Sequence, residues 1–128
     1  MKTIKQTYHI KALPAVVWKA LLDPSEIENW GGGPAVMTEH EGADFSLWGG
    51  DIHGTNLEVL HEEKLVQDWF GGDWDEPSRV TFTLTPEERG TTIELLHENI
   101  PDSEVADITE GWDLYYLGAM KKYLEEQA

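Results

Sequence analysis

The chain has 128 residues, no cysteine, six tryptophans and a formal net charge of −16. That charge repels phosphate, and Arg79 and Arg89 are the only guanidinium groups, so neither nucleic acid nor an anionic membrane surface is expected as a partner. The missing thiols exclude a disulfide framework, thiol catalysis and thiolate metal sites, and they fit a reducing cytoplasm, the expected location.

The length fits one domain over residues 1–128, enough to bury roughly two thirds of its unfolded surface. Near the start, Ile4, Gln6, Tyr8 and Ile10 alternate with Lys5, Thr7, His9 and Lys11, which predicts a half-buried strand rather than an apolar signal segment. Pro14 sits where a first helical turn tolerates proline. Val17, Trp18, Leu21 and Leu22 follow at helical spacing until Asp23-Pro24 stops the helix, because a residue before proline is pushed out of the α region. A second short helix is predicted from Ser25 to Trp30, halted by Gly31-Gly32-Gly33-Pro34.

A run of strands is predicted next: Ala35 to Thr38, Ala43 to Trp48, Asp51 to Leu60, Lys64 to Phe70, Ser78 to Thr85 and Thr91 to Asn99. Turn residues divide them at hairpin spacing. Val80-Phe82-Leu84 and Ile93-Leu95-His97 alternate cleanly with more polar neighbours, so one sheet face is buried. From Ser103 to Glu126, Val105, Ile108, Trp112, Tyr115, Tyr116, Ala119, Met120 and Tyr123 form one helical stripe. This helix should be ~30–35 Å long, with Asp102 or Ser103 as its N-cap. Gly111 inside it costs ~1 kcal/mol relative to alanine, so the helix either breaks there or gains close packing. The expected fold is α+β: a curved antiparallel sheet of six to seven strands gripping a long C-terminal helix, with two short helices after strand 1.

Ala15-Val16-Val17-Trp18, Leu21-Leu22-Asp23-Pro24, Ile27 and Trp30 resemble the opening signature of the AHSA1-like family, within the START-like (Bet v 1-like, SRPBCC) superfamily. Glu41 to Phe45, Gly49 to Gly54, Lys64 to Trp69, Ser78 to Leu84, Gly90 to His97, Gly111-Trp112 and Leu117 continue the resemblance in order. It implies the helix-grip fold and two roles. One is binding of a hydrophobic small molecule, as stand-alone superfamily members do. The other is an Hsp90 co-chaperone-like activity through protein–protein contacts, although this length has no room for the separate N-terminal domain such co-chaperones carry.

Tryptophan can bury ~150–250 Å², so the aromatic residues either fill a core or wall a pocket. The expected ligand-binding set is Trp30, Met37, Phe45, Trp48, Trp69, Phe82, Leu95, Trp112, Tyr115, Tyr116 and Met120, with His53 and His97 as polar groups on a shared inward face. Pockets for small ligands are commonly ~300–1,000 Å³, largely apolar, with few polar groups. His40-Glu41, His61-Glu62 and His97-Glu98 lack the spacing of a zinc-protease helix. His53, His97 and Asp68 are the remaining metal possibility, against which half-buried histidines bonded to backbone are the plainer reading. No serine has the glycines of a nucleophile elbow. Asp73, Asp75 and Glu76 around Trp74 read as a solvated hairpin tip, with Trp74 a flap over a pocket mouth or a lid on the sheet edge. The expected protein is a monomer that binds a hydrophobic small molecule, without catalysis, cofactor or metal. An Hsp90-like chaperone is the alternative partner.

Overall fold

The computed structural model describes residues 1–72 and 74–127. Two helices follow the first strand, β1 (Lys2–Ile10): α1 (Pro14–Leu22) and α2 (Pro24–Trp30). Proline occupies the first turn of both, and the Asp23 carboxylate caps α2 by accepting from the Ser25 N–H. Gly31 ends α2 in the left-handed region at φ 106°, a conformation cheap only without a Cβ. The remaining strands are β2 (Asp44–Leu47), β3 (Ile52–Leu60), β4 (Lys64–Gly71), β5 (Ser78–Glu87) and β6 (Gly90–Ile100). Among the described residues these form one antiparallel sheet in the order β1-β6-β5-β4-β3-β2. Ala35 to Thr38 is not a strand. It contributes only an isolated bridge, Val36 to Ser46, because the chain is still leaving the Gly31–Pro34 turn.

The sheet's inner face carries Phe45 and Leu47, Leu65 and Trp69, Val80, Phe82 and Leu84, and Ile93 and Leu95, all buried. Gly54 stands in register between Phe45 and Trp69. A Cβ there would collide with the Asp68 carbonyl, so the close approach of β3 to β4 requires glycine.

The C-terminal segment is the expected long helix, with two irregularities in its hydrogen bonding. Asp102–Glu104 is a 3₁₀ turn, followed by α3 (Val105–Gly111), a π-helical turn (Trp112–Tyr116) and α4 (Leu117–Glu126). Neither Asp102 nor Ser103 caps it. The residue before α3 is Glu104, which makes no side-chain cap bond. Gly111 is not held by packing, since a Cβ there would meet nothing within 4 Å. The helix instead widens at the next residue. Its π turn accommodates one extra residue, and both Trp112 and Tyr116 within it are buried. Gly118 carries the steric consequence, because a Cβ at that position would collide with the Asp113 carbonyl oxygen. No helix among the described residues is long and apolar enough to cross a membrane.

Candidate functional site

Tyr116 is the hub of the interior. Its ring lies 4.7 Å from those of Trp30 and Trp112, 5.8 Å from Trp69 and Phe82, and 6.1 Å from Trp48. Trp69 and Trp112 stack at 5.0 Å with planes 28° apart. Offset and edge-on geometries of this kind add about 0.5–1.5 kcal/mol per pair beyond area burial. The Tyr116 hydroxyl is buried without a hydrogen-bond partner among the described residues, and burial pushes its pKa upward.

A cleft of about 330 Å³ opens beside this cluster, between the C-terminal segment and the β2–β3 corner. Trp48, Trp69, Trp112, Tyr115 and Tyr116 form most of its wall, with Ile52, Ile108 and Gly111 between them and Asp51 and Asp107 completing it. Trp48 is fixed by the glycine turn: its backbone N–H donates to the Gly32 carbonyl and its indole N–H to the Gly31 carbonyl, both at 2.8 Å. Tyr115, 63% exposed, stands at the mouth. Trp74 is half-buried, its indole N–H bonded to the Glu104 carboxylate. It ties the β4–β5 tip to the start of the C-terminal segment, the lid alternative rather than a free flap. Asp73, of the expected carboxylate cluster, lies outside the described residues.

Five of the expected binding residues therefore meet at the cleft: Trp48, Trp69, Trp112, Tyr115 and Tyr116. Trp30, Met37, Phe45, Phe82, Leu95 and Met120 are buried core that backs the wall. His53 and His97 do not share a face. With Gly54 inward, the two-residue period of β3 places His53 outward, exposed and stacked on Phe70 at 5.4 Å. Asp68 accepts from the Thr55 N–H, and no group of three metal-ligating side chains gathers among the described residues. Ile52, Ile108, Asp51 and Asp107 fall outside the expected binding set. Their signal is positional, beside the Gly49-Gly50 turn and one helical turn before Trp112.

Behind the wall runs a polar chain. The Trp112 indole N–H donates to His97 Nδ1 at 3.1 Å, and His97 Nε2 lies 2.7 Å from Ser78 Oγ. An indole nitrogen only donates, so Nδ1 is the unprotonated nitrogen and Nε2–H donates to Ser78. In this tautomer His97 cannot take a proton from Ser78, so the pair lacks the arrangement of a nucleophilic dyad. Burial lowers the His97 pKa to about 4. Next to it Trp69 donates to Gln67, which donates to Asn56, at 2.9 and 2.8 Å. Asn56 closes the chain on the Thr38 carbonyl. Buried polar groups satisfied in this way hold the indoles in fixed orientations.

The family model described as "Activator of Hsp90 ATPase homolog 1-like protein" matches residues 11–125. The chain belongs to the AHSA1 family. An activator of 90 kDa heat shock protein ATPase homolog from Dictyostelium discoideum is 27% identical over 94% of the chain, which spans 32% of that relative. The chain thus corresponds to about a third of the length of the curated AHSA1 relatives it matches. A crystal structure of an HSP90 activator from Plasmodium falciparum superposes with a TM-score of 0.89 at 26% identity, covering 98% of this chain and 97% of that one. The solution structure of an Aha1 dimer from Colwellia psychrerythraea shares the fold at a TM-score of 0.85 and 19% identity, covering 98% of this chain and 97% of that one.

Proposed function

We propose that this AHSA1 protein binds a hydrophobic or aromatic small molecule in the cleft beside Trp112, as a monomer and without chemical turnover. The observation that carries the reading is the composition of the wall. Three indoles and two phenol rings border about 330 Å³ of open space, within the size and apolar character of small-ligand sites. The π turn supports it, since such turns recur at functional positions and this one carries three of the wall residues, Trp112, Tyr115 and Tyr116. Titration with the uncharged fluorophore N-phenyl-1-naphthylamine is expected to enhance probe emission, quench tryptophan emission and raise the melting temperature. Gly111→Leu, which adds a side chain at a cleft position with free space around its Cβ, is expected to abolish these changes while the protein stays folded. Equal binding by the Gly111→Leu protein would rule the cleft out.

A second reading is supported by the family itself: contact with an Hsp90-type chaperone and stimulation of its ATPase. The acidic exterior would then meet a basic surface, an attraction that salt weakens. The expected signature is Hsp90 ATPase stimulation that declines with ionic strength and needs no small molecule. An unchanged ATPase rate across protein concentration would dismiss it.

A further inference from the structure

We propose that the cleft selects an organic cation carried on an apolar or aromatic body, an inference that rests on the small-molecule reading above. The faces of aromatic rings are electron-rich, and a cation held within about 6 Å of them is attracted by the ring quadrupole, most strongly by indole. The cleft wall supplies half-buried Trp48 and exposed Tyr115 as its accessible rings, backed by the small exposed parts of the otherwise buried Trp69, Trp112 and Tyr116.

The charge of the rim points the same way. Asp51, just after the Trp48–Gly50 turn, and Asp107, on α3, are exposed residues lining the cleft from its two sides. Neither forms an ion pair among the described residues. Among the described residues the cleft lining contains no lysine, arginine or histidine. An anion entering this site would face two carboxylates with no compensating charge, and a neutral ligand would cover the rim without gaining from it. A quaternary or protonated amine gains from both the rings and the carboxylates. The net charge of −16 adds a field that concentrates cations at the mouth.

The test compares benzyltrimethylammonium with its uncharged carbon isostere neopentylbenzene, on the full chain. Binding is read by tryptophan fluorescence and by NMR shifts of the Trp48, Trp69 and Trp112 indole N–H groups. At low salt the cation is expected to bind about tenfold more tightly, and the advantage should shrink as salt rises toward about 0.5 M. The Asp51→Asn/Asp107→Asn variant is expected to lose most of that advantage while keeping its affinity for neopentylbenzene. Equal affinity for the two probes overturns the cation preference and leaves the small-molecule reading standing. Binding of neither probe overturns both. Cation binding that persists in Gly111→Leu reports diffuse attraction to the acidic surface, and it also overturns the proposal.

Discussion

His97 shows how one side chain joins the cleft wall to stability. It is fully buried, neutral, and bonded through Nδ1 to the Trp112 indole N–H. Protonation would place an N–H against an N–H and leave a charge among aromatic rings. With its pKa lowered from 6.5 to about 4, the unfolded chain binds a proton that the native state refuses between those values. His97 therefore has no effect on stability above about pH 7, and stability falls as pH descends from about 6.5 to 4, by about 3 kcal/mol in all. Denaturant titrations at pH 7 and pH 4.5 check this. His97→Gln, whose amide can still accept from Trp112 and donate to Ser78, is expected to lose stability at pH 7 yet show a flatter decline toward acid. Parallel declines in the two proteins would refute the assignment. His97's inward position was legible from the alternation of Ile93, Leu95 and His97. Its partners were not, because Ser78 on the neighbouring strand and Trp112 on the C-terminal helix meet His97 only through sheet pairing and helix packing.

The decisive element is the C-terminal segment. Its apolar stripe is visible in sequence, yet the stripe fits a regular helix closely enough to hide the π turn at Trp112–Tyr116. Of the two glycines in the segment, the one that matters sterically is Gly118, not Gly111. A Cβ at Gly118 would overlap the Asp113 carbonyl, whereas a Cβ at Gly111 meets open space. Gly111→Ala is accordingly expected to leave stability unchanged or raise it by up to about 1 kcal/mol through helix propensity. Gly118→Ala should lower stability by about 1–3 kcal/mol, the range for forced backbone shifts. It should also perturb the Trp112 indole resonance, since relief requires the π turn to move. Thermal melts of the two variants, compared with far-UV circular dichroism, separate the cases. If both substitutions stabilise equally, the π turn does not depend on Gly118.

For the whole molecule, the net charge of −16 sets up electrostatic repulsion across the surface. Twenty-five acidic residues face nine basic ones, and few of them are paired: the ion pairs among the described residues are mostly exposed, such as Lys64 with Glu58 at 3.5 Å. Exposed pairs of this kind contribute little, so self-repulsion at neutral pH is only partly offset. Raising salt from low to about 0.5 M at pH 7.5 is expected to raise the melting temperature, because screening acts on the folded state, where the charges are closest. A melting temperature that falls with sodium chloride would contradict this account. The acid-side prediction for His97 has the opposite sign from relief of carboxylate repulsion. For that reason it is read as a difference between native protein and variant, not from the native curve alone.

The sequence alone determined the class of fold, the order of its elements and the family, because alternation, helical stripes and turn residues are local signals. It also selected the aromatic side chains from which the cleft is made. It did not determine which of them border open space. That depends on register, on the Gly54 approach in β3, whose alternation leaves His53 outward, and on how the π turn carrying Trp112, Tyr115 and Tyr116 packs against the sheet. These features are set by strand pairing and by steric contacts such as Gly54 with Asp68 and Gly118 with Asp113, which a residue pattern does not display. Tertiary structure therefore divided a single aromatic set into packed core and cleft wall, and it placed Asp51 and Asp107 at the same mouth.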